Sequence, residues 1–260
     1  MYIKPYDELT IQDNFIFQKV MRNKRICKQT IERLLDIDIK DIGYPEEEKS
    51  INVRLDSKSI RLDVYVNDDK GTIFNIEMQT TKDMDELVKR TRYYQGLIDI
   101  DNIEKGQNYS ALHDTYIIFI CTFGVFTGKR HKYTFRNLCI EDNEILLNDG
   151  TTKLFLSTKG EADDVSKPLK MFLDYVDGKK PEDALMQEID HEVDTVKHCD
   201  EWRRDYMTLA LEMDKKWREG KAEGKIEAIR NAIKDGLTTL AAVKKSGRYT
   251  EEEIAAIAAP

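Results

Sequence analysis

The stretch "RLDVYVNDDKGTIFNIEMQTTKD", residues 61–83, reads as two strands joined by a polar loop that ends in Gly71. Alternation of apolar and polar residues predicts strands over 60–66 and 72–80. Successive side chains of a strand point to opposite faces. Arg61, Asp63 and Tyr65 therefore share one face, and Leu62, Val64 and Val66 the other. On the second run Ile73, Asn75, Glu77 and Gln79 oppose Phe74, Ile76 and Met78. With 67–71 as the connection, Val66 pairs with Thr72 and Asp63 with Asn75. Glu77 then lies on the diagonal from Asp63, at ~7–8 Å between backbones. Two carboxylates so placed can bridge one divalent cation from opposite sides. Mg²⁺ prefers such oxygen ligands and keeps several waters, and a bound water of lowered pKa can attack a phosphodiester.

Two plainer readings compete. One is a solvated sheet face; the other is an ion pair between Arg61 and Glu77, which this register sets facing each other. Against the first stands the apolar opposite face, which anchors the sheet. Ile73 also sits among the acids, and the next helix must pack nearby. Carboxylates covered in that way are costly unless a metal or a cation balances them.

Outward from the hairpin the periodicity changes. "DELTIQDNFIFQKVMRNKRICKQTIERLLDIDI" carries apolar stripes for two helices broken near Asn23, with Asp13 as an N-terminal acid. A further strand is expected near 51–55. A long helix follows the hairpin over about 84–104, ended by Gly106. "TYIIFICTF" has the continuous apolar character of a strand buried on both faces, and "KYTFRNLCI" and "TKLFLST" add two weaker strands.

After Ser157 the chain becomes helical and strongly charged. Trp202, Tyr206, Leu209, Met213 and Trp217 recur at three- and four-residue steps, the pattern of a face packed against the core or a partner. Gly220 and Gly224 weaken the helix that follows. Gly236 reads as a stop, and Thr250 to Glu253 as a capping box opening the last short helix. The expected organisation is a core over 1–158, a charged helical extension over 159–225 and a small helical segment over 226–260. The fold class is α/β: a mixed central sheet flanked by helices, with an α-helical C-terminal extension.

Composition bounds the rest. The 260 residues suffice for one sizeable core plus an appendage. The longest apolar run, residues 116–122, is far below the ~20 residues of a membrane span, and the N-terminus lacks a signal-peptide pattern. Cys27, Cys121, Cys139 and Cys199 are isolated, which favours reduced thiols in a cytoplasm over a disulfide framework or a zinc site. The formal net charge of −8 argues mildly against a protein that coats nucleic acid, yet leaves room for a local basic groove.

The order Asp63, a turn, then Glu77-Met78-Gln79 is similar to the "D…(D/E)-x-K" hairpin of the PD-(D/E)XK nuclease superfamily. More narrowly, the chain resembles the Rpn family of recombination-promoting nucleases, also labelled PD-(D/E)XK nuclease family transposases. "DNFIFQKVM", "NIEMQ", "RTRYYQGLIDIDNIEKGQNYSALHDTYIIFICTF" and the C-terminal "EGKAEGKIEAI…KDGLTTLAAVKKSGRYTEEEIAAIA" carry the likeness, which is weakest over about 141–199.

The resemblance implies a restriction-endonuclease-like core and an endonuclease that hydrolyses DNA with Mg²⁺ (or Mn²⁺) in recombination or mobile-element biology. It implies Asp63, Glu77 and the main-chain carbonyl of Met78 as metal ligands, with Asp13 in the outer shell. Gln79 stands in the catalytic position of the superfamily's lysine. Arg90, Arg92, Tyr93 and Tyr94 follow on the next helix, where they would meet phosphate or buttress the site; for Tyr94, packing is the better reading. Among the basic clusters, "GKRHKYTFR" with Lys129, Arg130, Lys132 and Arg136 is the preferred DNA contact, because it starts right after a core strand. Two departures stand out: Leu62 replaces the motif's proline, and glutamine cannot supply the lysine's charge. The alternative is therefore a weak or inactive nuclease fold acting as a DNA-binding or protein-interaction module. A third role assigns the helical extension to homo-oligomer formation.

Overall fold

The computed structural model describes residues 3–51 and 60–259. They form two compact units, residues 7–199 and the described parts of 1–6 with 200–260.

In the larger unit a six-stranded mixed sheet carries helices on its faces. Its strands are β1 (Glu46–Ile51), β2 (Ile60–Asn67), β3 (Ile73–Gln79), β4 (Thr115–Cys121), β5 (Lys132–Phe135) and β6 (Thr151–Ser157), in the spatial order β1-β2-β3-β4-β6-β5. The first three pair antiparallel, β3-β4 and β4-β6 are parallel, and β5 returns antiparallel along β6 as an edge. β4 is the apolar strand with neighbours on both sides; Ile117, Ile118, Phe119, Ile120 and Cys121 are wholly buried. The mixed sheet flanked by helices is the architecture that the alternation of strand and helix patterns implies.

The hairpin departs from its expected register. Asn67 pairs with Ile73, Val66 with Phe74 and Tyr65 with Asn75, rather than Val66 with Thr72 and Asp63 with Asn75. The turn explains the shift. Asp68 Oδ1 accepts the N–H groups of Lys70 and Thr72 at 2.9 and 2.8 Å, and Gly71 takes φ +86°. This side-chain turn moves the loop one residue further along the chain, from 67–71 to 68–72. A shift of two residues in register preserves strand parity, so Tyr65 and Ile73 keep a common face, but Leu62, expected on the opposite one, packs in the same cluster as Tyr65. In the observed register Asp63 is level with Glu77 itself.

β1 is largely "EEEKS", an acidic run that does not look like a strand. Lys49 holds it by lying over the Tyr65 ring at 3.9 Å and pairing with Asp101 at 3.1 Å. Of the strand expected at 51–55, Ile51 ends β1 and the remaining positions lie outside the described residues.

Helices α1 (Asn14–Met21) and α2 (Lys24–Leu35) are separated at Asn23, whose side chain caps α2 by accepting from Arg25 and Ile26. Ile16, Phe17, Val20 and Met21 of α1 are fully buried, and the helix packs on β1, β2 and β3. The other sheet face receives α3 (Met84–Asp101), where Leu87, Tyr94, Leu97 and Ile98 join Tyr65, Ile73, Ile117 and Phe119 in one apolar cluster. Helices α4 (Lys167–Val176) and α5 (Ala184–His198) pack beside α1 and α2.

In the second unit α6 (Asp200–Lys234) runs through Gly220 and Gly224 without a break. The N-terminal residues cover part of its aromatic stripe: Tyr6 and Tyr206 lie 5.6 Å apart, and the Tyr206 hydroxyl donates to the Lys4 carbonyl at 2.7 Å. Met213 and Trp217 stay exposed. Gly236 ends the helix at φ +73°, as its place in the sequence predicts. Helices α7 (Leu240–Lys245) and α8 (Glu251–Ala258) follow, the latter with the Thr250–Glu253 capping box.

Candidate active site

The β2–β3 ladder ends at Val64 opposite Ile76. Beyond that point side chains take over the backbone bonding. The Asp63 N–H donates to Glu77 Oε1 at 3.2 Å, and the Met78 N–H donates to Asp63 Oδ2 at 3.1 Å. Two carboxylates thus replace the next ladder bonds where the strands part. Each is locked by the other strand's backbone, so the fork itself positions them. They are 6% and 3% exposed, so the face that sequence parity marked as acidic is covered.

A ring of partners surrounds the pair. From α1, Gln18 Nε2 donates to Asp63 Oδ1 at 2.9 Å, with Asn14 at 3.5 Å. From α3, Arg90 Nη2 reaches Glu77 Oε2 at 3.2 Å and Nη1 reaches Gln79 Oε1 at 3.1 Å. The guanidinium also donates to the Tyr94 hydroxyl at 2.8 Å and lies over the Tyr94 and Phe119 rings, 5.2 and 5.4 Å from their centres. The ion pair with Glu77 is thus Arg90's, not the Arg61 pair of the earlier register. Arg61 is now level with Gln79 on β3 and paired with Ser50 on β1.

Electrostatics follow from burial. Desolvation pushes the Asp63 carboxyl up to about 6, against the lowering effect of the Gln18 and Met78 N–H groups. Glu77 is raised well above its ordinary value, first by burial and then by the neighbouring Asp63 charge, while Arg90 opposes the rise. Two covered acids that resist ionising side by side form an oxygen-only donor set suited to a hard dication. Asp63 Oδ1 accepts from both Gln18 and Asn14, while Asp63 Oδ2 and the two Glu77 oxygens each hold one of the bonds described, which leaves lone-pair capacity on those three. Among the described residues no third His, Cys, Asp or Glu joins them.

The other expected site residues fall in three places. Asp13 precedes α1, where its carboxylate accepts from the Thr10 N–H at 2.7 Å. Gln79 is at the fork, holding Arg90 with its oxygen and donating to the Thr81 carbonyl with its amide at 2.9 Å. Arg92 and Tyr93 lie exposed on α3, whereas Tyr94 is buried against Phe119. Lys129, Arg130 and Lys132 belong to the far edge of the sheet, separated from β3 by β4 and β6. Lys129 pairs with Glu161 at 2.8 Å, Arg130 lies 3.9 Å from Asp164, and the Lys132 ammonium donates to the Leu34 carbonyl at 3.2 Å. Sequence reasoning missed Gln18 and Asn14. Their signal was a pair of amides four residues apart on a helix whose other residues, Lys19 apart, are apolar.

A comparison with protein families places this geometry. The sequence model of the PD-(D/E)XK nuclease family transposases matches residues 14–158, more than half of the chain. The chain belongs to that family. The matched span opens at the first residue of α1 and closes just after β6, so it takes in Gln18, Asp63, Glu77, Gln79 and Arg90. The PD-(D/E)XK assignment makes the fork part of a nuclease-type domain and fits the likeness to recombination-promoting nucleases. Comparisons with curated proteins and with solved structures returned no match. No helix among the described residues is long and apolar enough to cross a membrane.

Proposed function

We propose that the Asp63–Glu77 fork is the hydrolytic centre of a metal-dependent endonuclease acting on DNA, with a role in recombination or mobile-element biology. The observation that carries this reading is the pair of buried carboxylates replacing ladder bonds, with Gln18 on one side and Arg90 on the other. Asp63, Glu77 and the Met78 carbonyl would hold Mg²⁺ or Mn²⁺. Such an ion, when bound, supplies an activated water and a counter-charge for the phosphodiester.

The chain's own residues do the remainder. Gln18 and the Met78 N–H aim the Asp63 carboxylate. Gln79 cannot replace a lysine's charge, but its side-chain oxygen holds the Arg90 guanidinium beside Glu77. Arg90 therefore brings to the fork the positive charge that the motif lacks, and a planar donor suited to phosphate oxygens. Arg92 and Tyr93, exposed on the same helix, extend that surface for the DNA backbone.

The test is nicking of supercoiled DNA by the full chain with Mg²⁺ or Mn²⁺. Asp63→Ala and Glu77→Ala should abolish cleavage; equal nicking by wild type and Asp63→Ala would sink the proposal. A second reading has its own support, because Arg90 occupies one Glu77 oxygen. On that reading the fork is a closed ion-pair site in a DNA-binding module. It predicts DNA binding that neither chelator nor Glu77→Gln changes, with no cleavage.

A further inference from the structure

The far edge of the sheet carries a second feature. β5 bonds β6 on one side only. The His131 carbonyl accepts from the Ser157 N–H at 2.8 Å, so alternation assigns the inward bonds to 131, 133 and 135. The N–H and C=O groups of Lys132, Thr134 and Arg136 then point outward. Past β5 the edge goes on: Leu138 bridges Leu146, the Cys139 N–H donates to the Ile145 carbonyl, and the Leu147 N–H donates to the Asn137 carbonyl. Those partners lead directly into β6, so they cover the same side as β6 does. Among the described residues no backbone bond reaches the other side. An edge of this length is a template for another strand.

Several apolar side chains along it are uncovered. Phe135, Leu138, Ile145 and Leu147 are 43%, 51%, 55% and 65% exposed, and Ile140 is 88% exposed. Scattered surface leucines need no explanation, but a run of them beside an unpaired edge does. The flanking charges identify the occupant. In "KRHKYTFRNLCIEDNE", residues 129–144, Lys129, Arg130 and Lys132 stand at one end and Glu141, Asp142 and Glu144 at the other. Antiparallel pairing of this segment with itself brings each basic end against an acidic end. A strand of uniform charge would match only one of them.

We propose that two copies of the chain pair along this edge, antiparallel across a two-fold axis beside Phe135, to make one continuous sheet. Thr134 of each copy lies opposite Arg136 of the other, Lys129 lies opposite Glu141, and Arg130 meets Asp142 on the diagonal across the interface. The exposed Lys129–Glu161 pair, and the 3.9 Å separation of the exposed Arg130 guanidinium from the largely covered Asp164, hold the two cations weakly enough to be shared. The rival arrangement is a dimer through α6, where Met213 and Trp217 are also exposed.

Light scattering and sedimentation of the full chain at micromolar concentration test it. Wild type should show twice the chain mass of 30.3 kDa. Thr134→Pro removes an outward N–H and spares the β6 ladder; it should give a monomer with unchanged circular dichroism. Reversing the acidic end with Glu141→Lys and Asp142→Lys should raise the dissociation constant tenfold or more. Adding Lys129→Glu and Arg130→Glu to the same chain should restore the dimer, a rescue that does not depend on tolerance of proline. A monomeric wild type overturns the proposal. So does a dimer that survives both changes, with loss on Trp217→Glu marking α6 as the true interface.

Discussion

Asp63 concentrates the tension between folding and chemistry. Its carboxyl is raised from 3.8 to about 6 in the folded chain, so between these values the fold holds a proton that the unfolded chain has released. Stability therefore falls as pH rises from about 4 to 6, and the full penalty, on the order of 3 kcal/mol, is present above pH 6. Asp63→Asn should remove much of it. The variant is expected to be about 1–3 kcal/mol more stable than wild type at pH 8, and no more stable at pH 4, by urea unfolding at both pH values. Cleavage should run the opposite way, rising with pH through about 6 in wild type as Asp63 ionises. Arg90 makes a second residue-scale prediction. Arg90→Ala should lower kcat by roughly 10²–10³-fold, as for loss of one preorganised charge donor. Arg90→Lys should recover part of the loss, because the charge returns without the fork that spans Glu77 and Gln79. Equal kcat for wild type and Arg90→Ala would leave Arg90 a packing residue.

At the scale of elements, the site depends on where regular bonding stops. The ladder between β2 and β3 ends just as the two acids begin, and α1 and α3 close over the gap from opposite sides with Gln18 and Arg90. Helix α6 shows the opposite behaviour, continuing through two glycines that sequence reasoning took as weak points. A methyl group added at Gly220 or Gly224 meets nothing within 4 Å. Alanine at either should stabilise the helix by up to about 1 kcal/mol. Gly236→Ala should destabilise by a similar amount, about 1 kcal/mol, because φ is +73° there. Thermal unfolding followed at 222 nm reads both signs; a gain at all three positions would contradict the helix ending described here.

For the whole molecule, the expected signature of the fork is linkage between metal, proton and fold. Mg²⁺ or Mn²⁺ should raise the Tm of wild type at pH 8, by about 2.7 kcal/mol of added stability at a hundredfold excess over Kd. The rise should shrink at pH 5, where Asp63 holds its proton, and vanish in Asp63→Ala; calorimetry with chelator as the reference decides it. Much of this architecture was legible from periodicity alone. Period-two runs marked β2 and β3, the apolar run marked the central β4, and strand parity put Asp63, Glu77 and Gln79 on one face. Caps and stops at Asn23, Gly236 and Thr250 are local chemistry and were readable locally. The register was not, because it turned on how Asp68 folds its side chain into the turn. Nor was β1, an acidic segment held by contacts to Tyr65 and Asp101 distant in the chain. Which side chains alternate along a strand could be read from the chain, because alternation is a property of the backbone. Which groups meet could not: Gln18, Asp63, Glu77 and Arg90 come from four separate elements, and packing on both sheet faces is what brings them together.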